Sequence, residues 1–216
     1  MSSDLDTFTL LPLKIDPQSK AISSVTPGGG GGGSNNNRAL DAELAALNAL
    51  HRSLHSLDAP HTVPPPPVPV NPKRSANVNK LRESGNAEFR KGRYTEAIKF
   101  YGLGLQMALT RPMWEPSQLV REEVHQLYGN RAQAHMAMQN WAEGSIDAEA
   151  SVEAKRQGNA KAWWRRGRCL IEMGRLEEAR EWVGKGLEVE GEEKELVEML
   201  KDIDGRIASA NAAKSA

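Results

Sequence analysis

The stretch WWRRGRCLIEMGRLEEAREWVGKGL, residues 163–187, decides the fold because it has the pattern of two helices joined by a tight turn. Its bulky first residue, Trp163, is followed four positions later by Gly167, and another small residue, Ala179, lies early in the second half. Residues four apart share one face of a helix, so the small residues mark where a neighbouring helix packs closely. The stretch predicts a helical hairpin with Trp163 as its packing anchor.

The same arrangement occurs twice more, earlier in the chain. The copies are LRESGNAEFRKGRYTEAIKFYGLGL (81–105) and YGNRAQAHMAMQNWAEGSIDAEASV (128–152), with the small residue at Gly85 and Ala132. The interval from residue 132 to residue 167 is close to the ~34-residue period of a helix–turn–helix repeat. An insertion, TRPMWEPSQLVRE (110–122), lengthens the earlier interval. Stacked copies predict a helical solenoid with a concave groove.

This pattern resembles tetratricopeptide repeats over roughly residues 77–190. The resemblance implies three helix pairs. Glu88 and His135 stand where the family usually has a larger apolar residue, and Gln139 replaces the turn glycine of the other two copies.

After the repeats, EEKELVEMLKDIDGRIASAN (192–211) predicts a C-terminal capping helix whose outer face is polar, as the end of a solenoid requires. We therefore predict a mostly α fold: a three-repeat solenoid with its cap over residues 77–211, then a disordered tail at 212–216.

The first 58 residues contain little material for a core. Phe8 is the only aromatic residue before Asn77. Short extended segments flank a turn at PQSK (17–20), and leucines recur at three- and four-residue steps in RALDAELAALNALHRSLHSL (38–57), as on an amphipathic helix. A hairpin and one helix rarely fold alone. We predict that residues 1–58 fold against a partner protein; packing back onto the rest of the chain is the alternative.

Two low-complexity segments interrupt this organisation. A Gly-rich linker at 27–37 lies within the N-terminal region, and a Pro-rich linker spans 59–76. The run VPPPPVPV (63–70) is typical of a polyproline spacer, and alternatively of a ligand for an aromatic-lined groove.

Cations and carboxamides collect on the first helix of each predicted repeat, the helix that lines a solenoid groove. Lys+Arg and Asp+Glu both number 28, so this positive surface is local. Trp164 either packs internally or floors the groove. The predicted groove residues are Arg82 and Asn86 in the first repeat, Asn130 in the second, and Lys161, Arg165 and Arg168 in the third, with Gln133 and Trp164 as auxiliary candidates.

These positions sharpen the resemblance. One subgroup of the tetratricopeptide family binds the C-terminal Glu-Glu-Val-Asp tails of cytosolic heat-shock chaperones through a carboxylate clamp. The resemblance places the five clamp residues at Arg82, Asn86, Asn130, Lys161 and Arg165, with arginine at position 82 where lysine is usual. It implies an adaptor that binds a chaperone tail, with the seventy-kilodalton class favoured.

The whole chain resembles a family of fungal tetratricopeptide subunits of the endoplasmic-reticulum complex for post-translational protein translocation. The motifs are TLLPL (9–13), VNPKRSANVNKLRESGN (70–86) and AKAWWRRGRCLIEMGRLEEA (160–179). This resemblance implies docking through residues 1–58 onto a membrane-anchored subunit, at the cytosolic face of the endoplasmic reticulum. A general cytosolic co-chaperone and a pure scaffold subunit without tail binding are the alternatives.

Other function classes find no support in the sequence. There is no nucleophile–base–acid set and no phosphate-binding glycine loop, so we expect no catalytic residues and no cofactor. Cys169, within a packed helix, is expected to be a buried thiol. His51 and His55 lie one turn apart without a third ligand, so we expect no metal. The net charge of +0 gives no general attraction to nucleic acid, and no long apolar run predicts membrane insertion.

Overall fold

A computed structural model describes residues 12–25, 35–55, 70–112 and 114–215, and it is mostly helical. The chain divides into two compact units: a small one that contains the first two of these ranges, and a larger one that holds the remaining helices. None of the helices in the described ranges is long and apolar enough to cross a bilayer.

The small unit consists of a β-hairpin and one helix. Strands β1 (Leu13–Ile15) and β2 (Ile22–Ser24) pair antiparallel, and α1 spans Asn35–His55. The turn is held by Asp16, whose Oδ1 accepts hydrogen bonds from the backbone N–H groups of Gln18 and Ser19. The amide of Asn48 on α1 bonds both backbone groups of Ile22, at 2.8 and 2.7 Å, so the helix covers the open edge of β2. The predicted extended segments, turn and leucine helix are confirmed.

The larger unit contains three helix pairs and a final helix. The pairs are α2 (Lys73–Arg90) with α3 (Tyr94–Leu109), α4 (Ser117–Ala137) with α5 (Trp141–Ala154), and α6 (Ala160–Glu172) with α7 (Leu176–Glu190), followed by α8 (Lys194–Ser215). Gly92 and Gly174 end the first helix of the outer pairs with φ of 73° and 74°. Gln139 adopts the same left-handed conformation, with φ of 60°, in the middle pair. The predicted solenoid is confirmed, and position 139 keeps the turn geometry without the glycine.

Small residues allow the two helices of a pair to pack closely against each other. A Cβ at Gly85 would lie 2.4 Å from the Tyr101 ring, and a Cβ at Gly167 would lie 2.8 Å from Cγ2 of Val183. Trp163 is only 1% exposed, and its ring centroid is 4.3 Å from that of Trp182. The predicted role of Trp163 as packing anchor is therefore confirmed, and the side chain stabilises the third pair by burying a large apolar surface.

The insertion before α4 is fixed by a buried arginine. Nε and Nη2 of Arg111 donate to Glu123 at 3.0 and 2.6 Å, and Nη1 donates to Glu115 at 2.5 Å. Nη2 also donates to Oγ of Ser75 on α2, at 2.8 Å. Burial by itself lowers the pKa of Arg111, but the hydrogen bonds with Glu123 and Glu115 outweigh it and leave the pKa raised. The insertion is thus tied to α2 and α4.

Three helices extend into segments that the sequence pattern predicts as linkers or a tail. Helix α1 spans Asn35–His55, so its first residues lie inside the predicted Gly-rich linker 27–37. Helix α2 begins at Lys73, inside the predicted linker 59–76, because Pro72 fits the position just before a helix. Helix α8 continues to Ser215 through the predicted tail 212–216, where alanines favour helix. The glycines at 28–33 and the prolines at 64–67 lie outside the described residues.

Candidate functional site

Two of the predicted groove residues meet directly. Nδ2 of Asn130 on α4 donates a hydrogen bond of 3.0 Å to Oδ1 of Asn86 on α2. The same oxygen accepts a bond of 2.8 Å from the hydroxyl of Tyr101, which is 1% exposed. Burial raises the pKa of Tyr101 to about 12, so the phenol stays protonated and remains a donor. With its oxygen committed, the Asn86 side chain presents its two N–H donors away from Tyr101.

Arg165 on α6 is a half-buried cation with a neutral partner. Its Nε donates 3.0 Å to Oε1 of Gln133 on α4, and its Nη1 lies 3.2 Å from where a Cβ of Gly129 would stand. Among the residues that the structure describes, no carboxylate forms an ion pair with Arg165. Burial lowers the pKa of Arg165 below its ordinary value, although a guanidinium stays charged at neutral pH.

Two other guanidinium groups of the larger unit, those of Arg111 and Arg131, are neutralised by carboxylates. Arg111 is paired with Glu115 and Glu123, and Arg131 is paired with Asp147 at 2.6 Å. A buried charge is normally paired, because removing it from water without a counter-charge is costly. Arg165 departs from this rule, which is what a site that receives an external anion requires.

Arg82 is engaged by its own helix. Its Nη2 donates 2.7 Å to Oδ1 of Asn79 and lies 3.1 Å from Oε1 of Glu83. Oε2 of Glu83 also accepts a 3.4 Å bond from Nδ2 of Asn86, so this exposed carboxylate lies between the two groove residues of the first pair. Glu83 therefore gives a carboxylate partner to both predicted groove residues of the first pair.

The charges of Arg82 and Arg165 both act on the Tyr101 hydroxyl, where each opposes the rise of its pKa. Direct hydrogen bonds join the first pair to the second through Asn86 and Asn130, and the second pair to the third through Gln133 and Arg165.

The remaining predicted residues line one cavity of about 620 Å³ beside Arg165. Lys161 is exposed at its edge, and Trp164 both lines it and packs against the core of the third pair. The two alternatives for Trp164 are therefore compatible. The predicted residues on its wall are Gln133, Lys161, Trp164, Arg165 and Arg168.

Sequence reasoning missed three parts of this site. Tyr101 could be found only by noticing that its ring fills the space left by Gly85, because nothing in the chain order links it to Asn86. Glu83 is adjacent to Arg82 and was overlooked as a competing anion. The far wall of the cavity belongs to α8, which contributes Glu195, Glu198 and Asp202, whereas the sequence pattern predicted only a polar outer face.

The prediction that Cys169 is a buried thiol is confirmed. The side chain is fully buried, and burial raises the pKa of the thiol to about 12. The thiolate is the reactive form, so at neutral pH this cysteine is an inert core residue.

Sequence comparison supports the repeat architecture. A family model described as tetratricopeptide repeat matches residues 160–192. The ER protein translocation subcomplex subunit sec67 of Schizosaccharomyces pombe is 39% identical over 143 residues, which cover 65% of this chain and 74% of that protein. The heat shock protein sti1 homolog of the same yeast is 30% identical over 141 residues, which cover 64% of this chain and 21% of that protein.

Solved structures share the fold. The first tetratricopeptide domain of Spaghetti (RPAP3), bound to the HSP90 peptide SRMEEVD, is 28% identical with a TM-score of 0.52, and the match covers 62% of this chain and 95% of that domain. A chain of the Sec complex from S. cerevisiae has a TM-score of 0.71 at 22% identity, and the match covers 92% of this chain and 99% of that one. The second likeness concerns the fold alone.

Proposed function

This tetratricopeptide-repeat chain belongs to the family of the ER protein translocation subcomplex subunit sec67, and we propose that it is a non-catalytic adaptor for chaperones. In this proposal the groove formed by α2, α4 and α6 binds the C-terminal Glu-Glu-Val-Asp tail of a cytosolic heat-shock chaperone, of the seventy-kilodalton class in the first instance. Residues 1–58 attach the protein to the membrane-anchored part of the translocation complex, at the cytosolic face of the endoplasmic reticulum.

The state of Arg165 carries the tail-binding proposal. A guanidinium that is half-buried and bonded only to a carboxamide, among the described residues, has lost hydration without gaining a counter-charge. Lys161, one turn away on the same helix, adds a second cation. A ligand with two carboxylates at its end supplies the missing charges in one step.

The carboxamides complete the recognition of the tail. Asn86 and Asn130 offer N–H donors without additional charge, so they bind carboxylate oxygens without adding repulsion between cations. The tail carboxylate takes over the bonds that Glu83 makes to Arg82 and Asn86. The related Spaghetti domain, solved with a peptide that ends in Glu-Glu-Val-Asp, favours the same kind of ligand here.

Calorimetry with a free-acid Glu-Glu-Val-Asp peptide and its C-terminally amidated twin tests the proposal. We expect the free acid to bind at roughly micromolar affinity, because a few charge-assisted hydrogen bonds of about 1.5–3 kcal/mol each are partly offset by ordering the peptide. Lys161→Ala and Arg165→Ala are each expected to weaken binding about tenfold, or about 1.4 kcal/mol.

Lys99→Ala is the matched control, because Lys99 is an exposed cation on α3 that pairs with Glu96 and lies outside the predicted groove. We expect this variant to bind as the unmodified protein does. Equal affinity of the free acid and the amide, or full affinity in both groove variants, rules out the clamp and leaves the pure scaffold as the better interpretation.

A further inference from the structure

The cavity beside Arg165 has walls of opposite charge. Helix α6 contributes Lys161, Arg165 and Arg168 on one side, and α8 contributes Glu195, Glu198 and Asp202 on the other. The three acids are spaced three and four residues apart, so they share one face of α8. That face lies next to the buried stripe of Leu196, Met199 and Ile203, which fixes the orientation of the helix against the core.

The two walls do not neutralise each other. Arg168 pairs with Glu172 of its own helix at 2.6 Å, and Asp202 pairs with Arg206 of its own helix at 3.0 Å. Glu198 lies 3.8 Å from Lys194, also on α8. Across the cavity, no ion pair joins α6 to α8 in the part of the chain that the structure describes. The space between the walls is therefore open to a ligand that meets both charges.

An apolar floor connects the walls. Ile171 and Met199, which are 5% and 7% exposed, line the cavity together with Trp164. A floor of this kind accepts the aliphatic part of a long side chain while its charged end reaches the acids of α8. The cavity adjoins Lys161 and Arg165, so a chain whose terminal carboxylates lie at those cations passes through it.

We propose that Glu195, Glu198 and Asp202 make the groove selective for the charge of the tail residues that precede the carboxylate end. A lysine or arginine there is favoured, and an aspartate or glutamate is rejected. This inference rests on the proposed function, because it deepens the description of the same ligand. The reversal of charge along the groove also fixes the direction of the tail, with its carboxylates towards α2 and α4 and its upstream residues towards α8.

The size of the effect follows from exposure. All three acids are exposed, and an exposed ion pair contributes modestly because water and salt screen it. The acids of α8 attract a basic tail residue and repel an acidic one. Both effects contribute to the difference in binding free energy between a lysine-bearing and a glutamate-bearing peptide. We therefore expect a lysine-bearing tail to bind about fivefold more tightly than its glutamate-bearing twin at low salt.

Calorimetry with three sets of free-acid peptides tests the proposal. Each peptide ends in Glu-Glu-Val-Asp and carries a lysine, an alanine or a glutamate, placed in turn at each preceding position. The variant Glu195→Gln/Glu198→Gln/Asp202→Asn is expected to bring the lysine-to-glutamate preference close to one while it still binds the alanine peptide. Glu188→Gln, which removes an exposed acid from α7, is the matched control and is expected to keep the full preference.

The outcomes separate the two proposals. A lysine preference in the unmodified protein that disappears only in the triple variant supports the selectivity. Binding of every peptide without a charge preference, or a preference that survives the triple variant, overturns the selectivity and leaves the clamp intact. Loss of all binding to free-acid peptides in the unmodified protein overturns both. Because the substituted side chains are exposed, circular dichroism is expected to show no change in fold.

Discussion

At the scale of single residues, Gln139 has a conformation that its side chain disfavours. Its φ of 60° matches the 73° and 74° of Gly92 and Gly174 at the equivalent turns. The left-handed conformation is less favourable by roughly 1–2 kcal/mol for a residue with a Cβ, whereas glycine adopts it without this cost. The turn is therefore imposed by the packing of α4 on α5 and not by local preference.

We predict that Gln139→Gly raises the free energy of unfolding by about 0.5 kcal/mol, because relief of strain exceeds the entropy that glycine adds to the unfolded chain. Urea denaturation measures the change. The reciprocal variant Gly92→Ala is expected to lower the free energy of unfolding by about 1 kcal/mol; no atom lies within 4 Å of the added Cβ, so φ alone acts. A destabilised Gln139→Gly variant contradicts this account of the turn.

The groove residues illustrate how far a sequence predicts a site. Arg82, Asn86, Asn130, Lys161 and Arg165 follow from residue type and helix position, and repeat geometry explains the direct contact between Asn86 and Asn130. Among the described residues Arg165 has no carboxylate partner, which could not be predicted because its neighbours Gln133 and Gly129 lie on another helix. Their role in binding a tail remains a proposal that the groove variants test.

At the scale of elements, the connection between α3 and α4 depends on one buried ion-pair network. An arginine in a connecting segment is ordinarily predicted to lie on the surface. The side chain of Arg111 is nevertheless only 7% exposed, and it donates hydrogen bonds to two carboxylates and to Ser75. Arginine is rarely buried unless it is paired, and the carboxylate partners here are Glu115 within the insertion and Glu123 on α4. Pairings of this kind depend on tertiary structure, so the position of the insertion could be predicted from the sequence but its stabilising role could not.

We predict that Arg111→Ala lowers the free energy of unfolding by about 3 kcal/mol, because Glu115 and Glu123 are left as partly buried carboxylates without a counter-charge. Thermal and urea denaturation measure the loss. Arg121→Ala, which removes an exposed arginine from the same part of the chain, is the control and is expected to change stability by less than about 0.5 kcal/mol. Similar stability of the two variants is the result that contradicts the network.

The final helix shows a different limit of sequence reasoning. A polar helix face predicts exposure to solvent, but it does not say whether that solvent fills a groove or surrounds the outside of a solenoid. Glu195, Glu198 and Asp202 form a polar face of the capping helix, and they also line the cavity beside α6. The position of α8 against α6 decides between these roles, and that position depends on the packing of Leu196 and Met199.

At the scale of the whole molecule, two compact units carry the two contacts of the proposed adaptor. The larger unit holds the groove, and the small unit has exposed apolar residues on its hairpin, with Leu13 46% and Ile15 59% exposed. Exposed apolar side chains grouped on one strand are typical of a surface that a partner covers. This agrees with the prediction that residues 1–58 need a partner protein, which the membrane proposal identifies as a subunit of the translocation complex.

We predict that Ile15→Asp lowers the share of the protein that sediments with endoplasmic-reticulum membranes, because a charge in a covered apolar contact must be desolvated without a partner. Ile146→Asp, on α5, is the matched control, because Ile146 is similarly exposed at 65% and lies in the larger unit. Fractionation of cells that express each variant measures the distribution. We expect Ile15→Asp to retain its affinity for the free-acid tail peptide, since the groove is built from α2, α4, α6 and α8. Equal sedimentation of both variants favours the general cytosolic co-chaperone, whereas loss of peptide binding in Ile15→Asp shows that the two contacts are not separable.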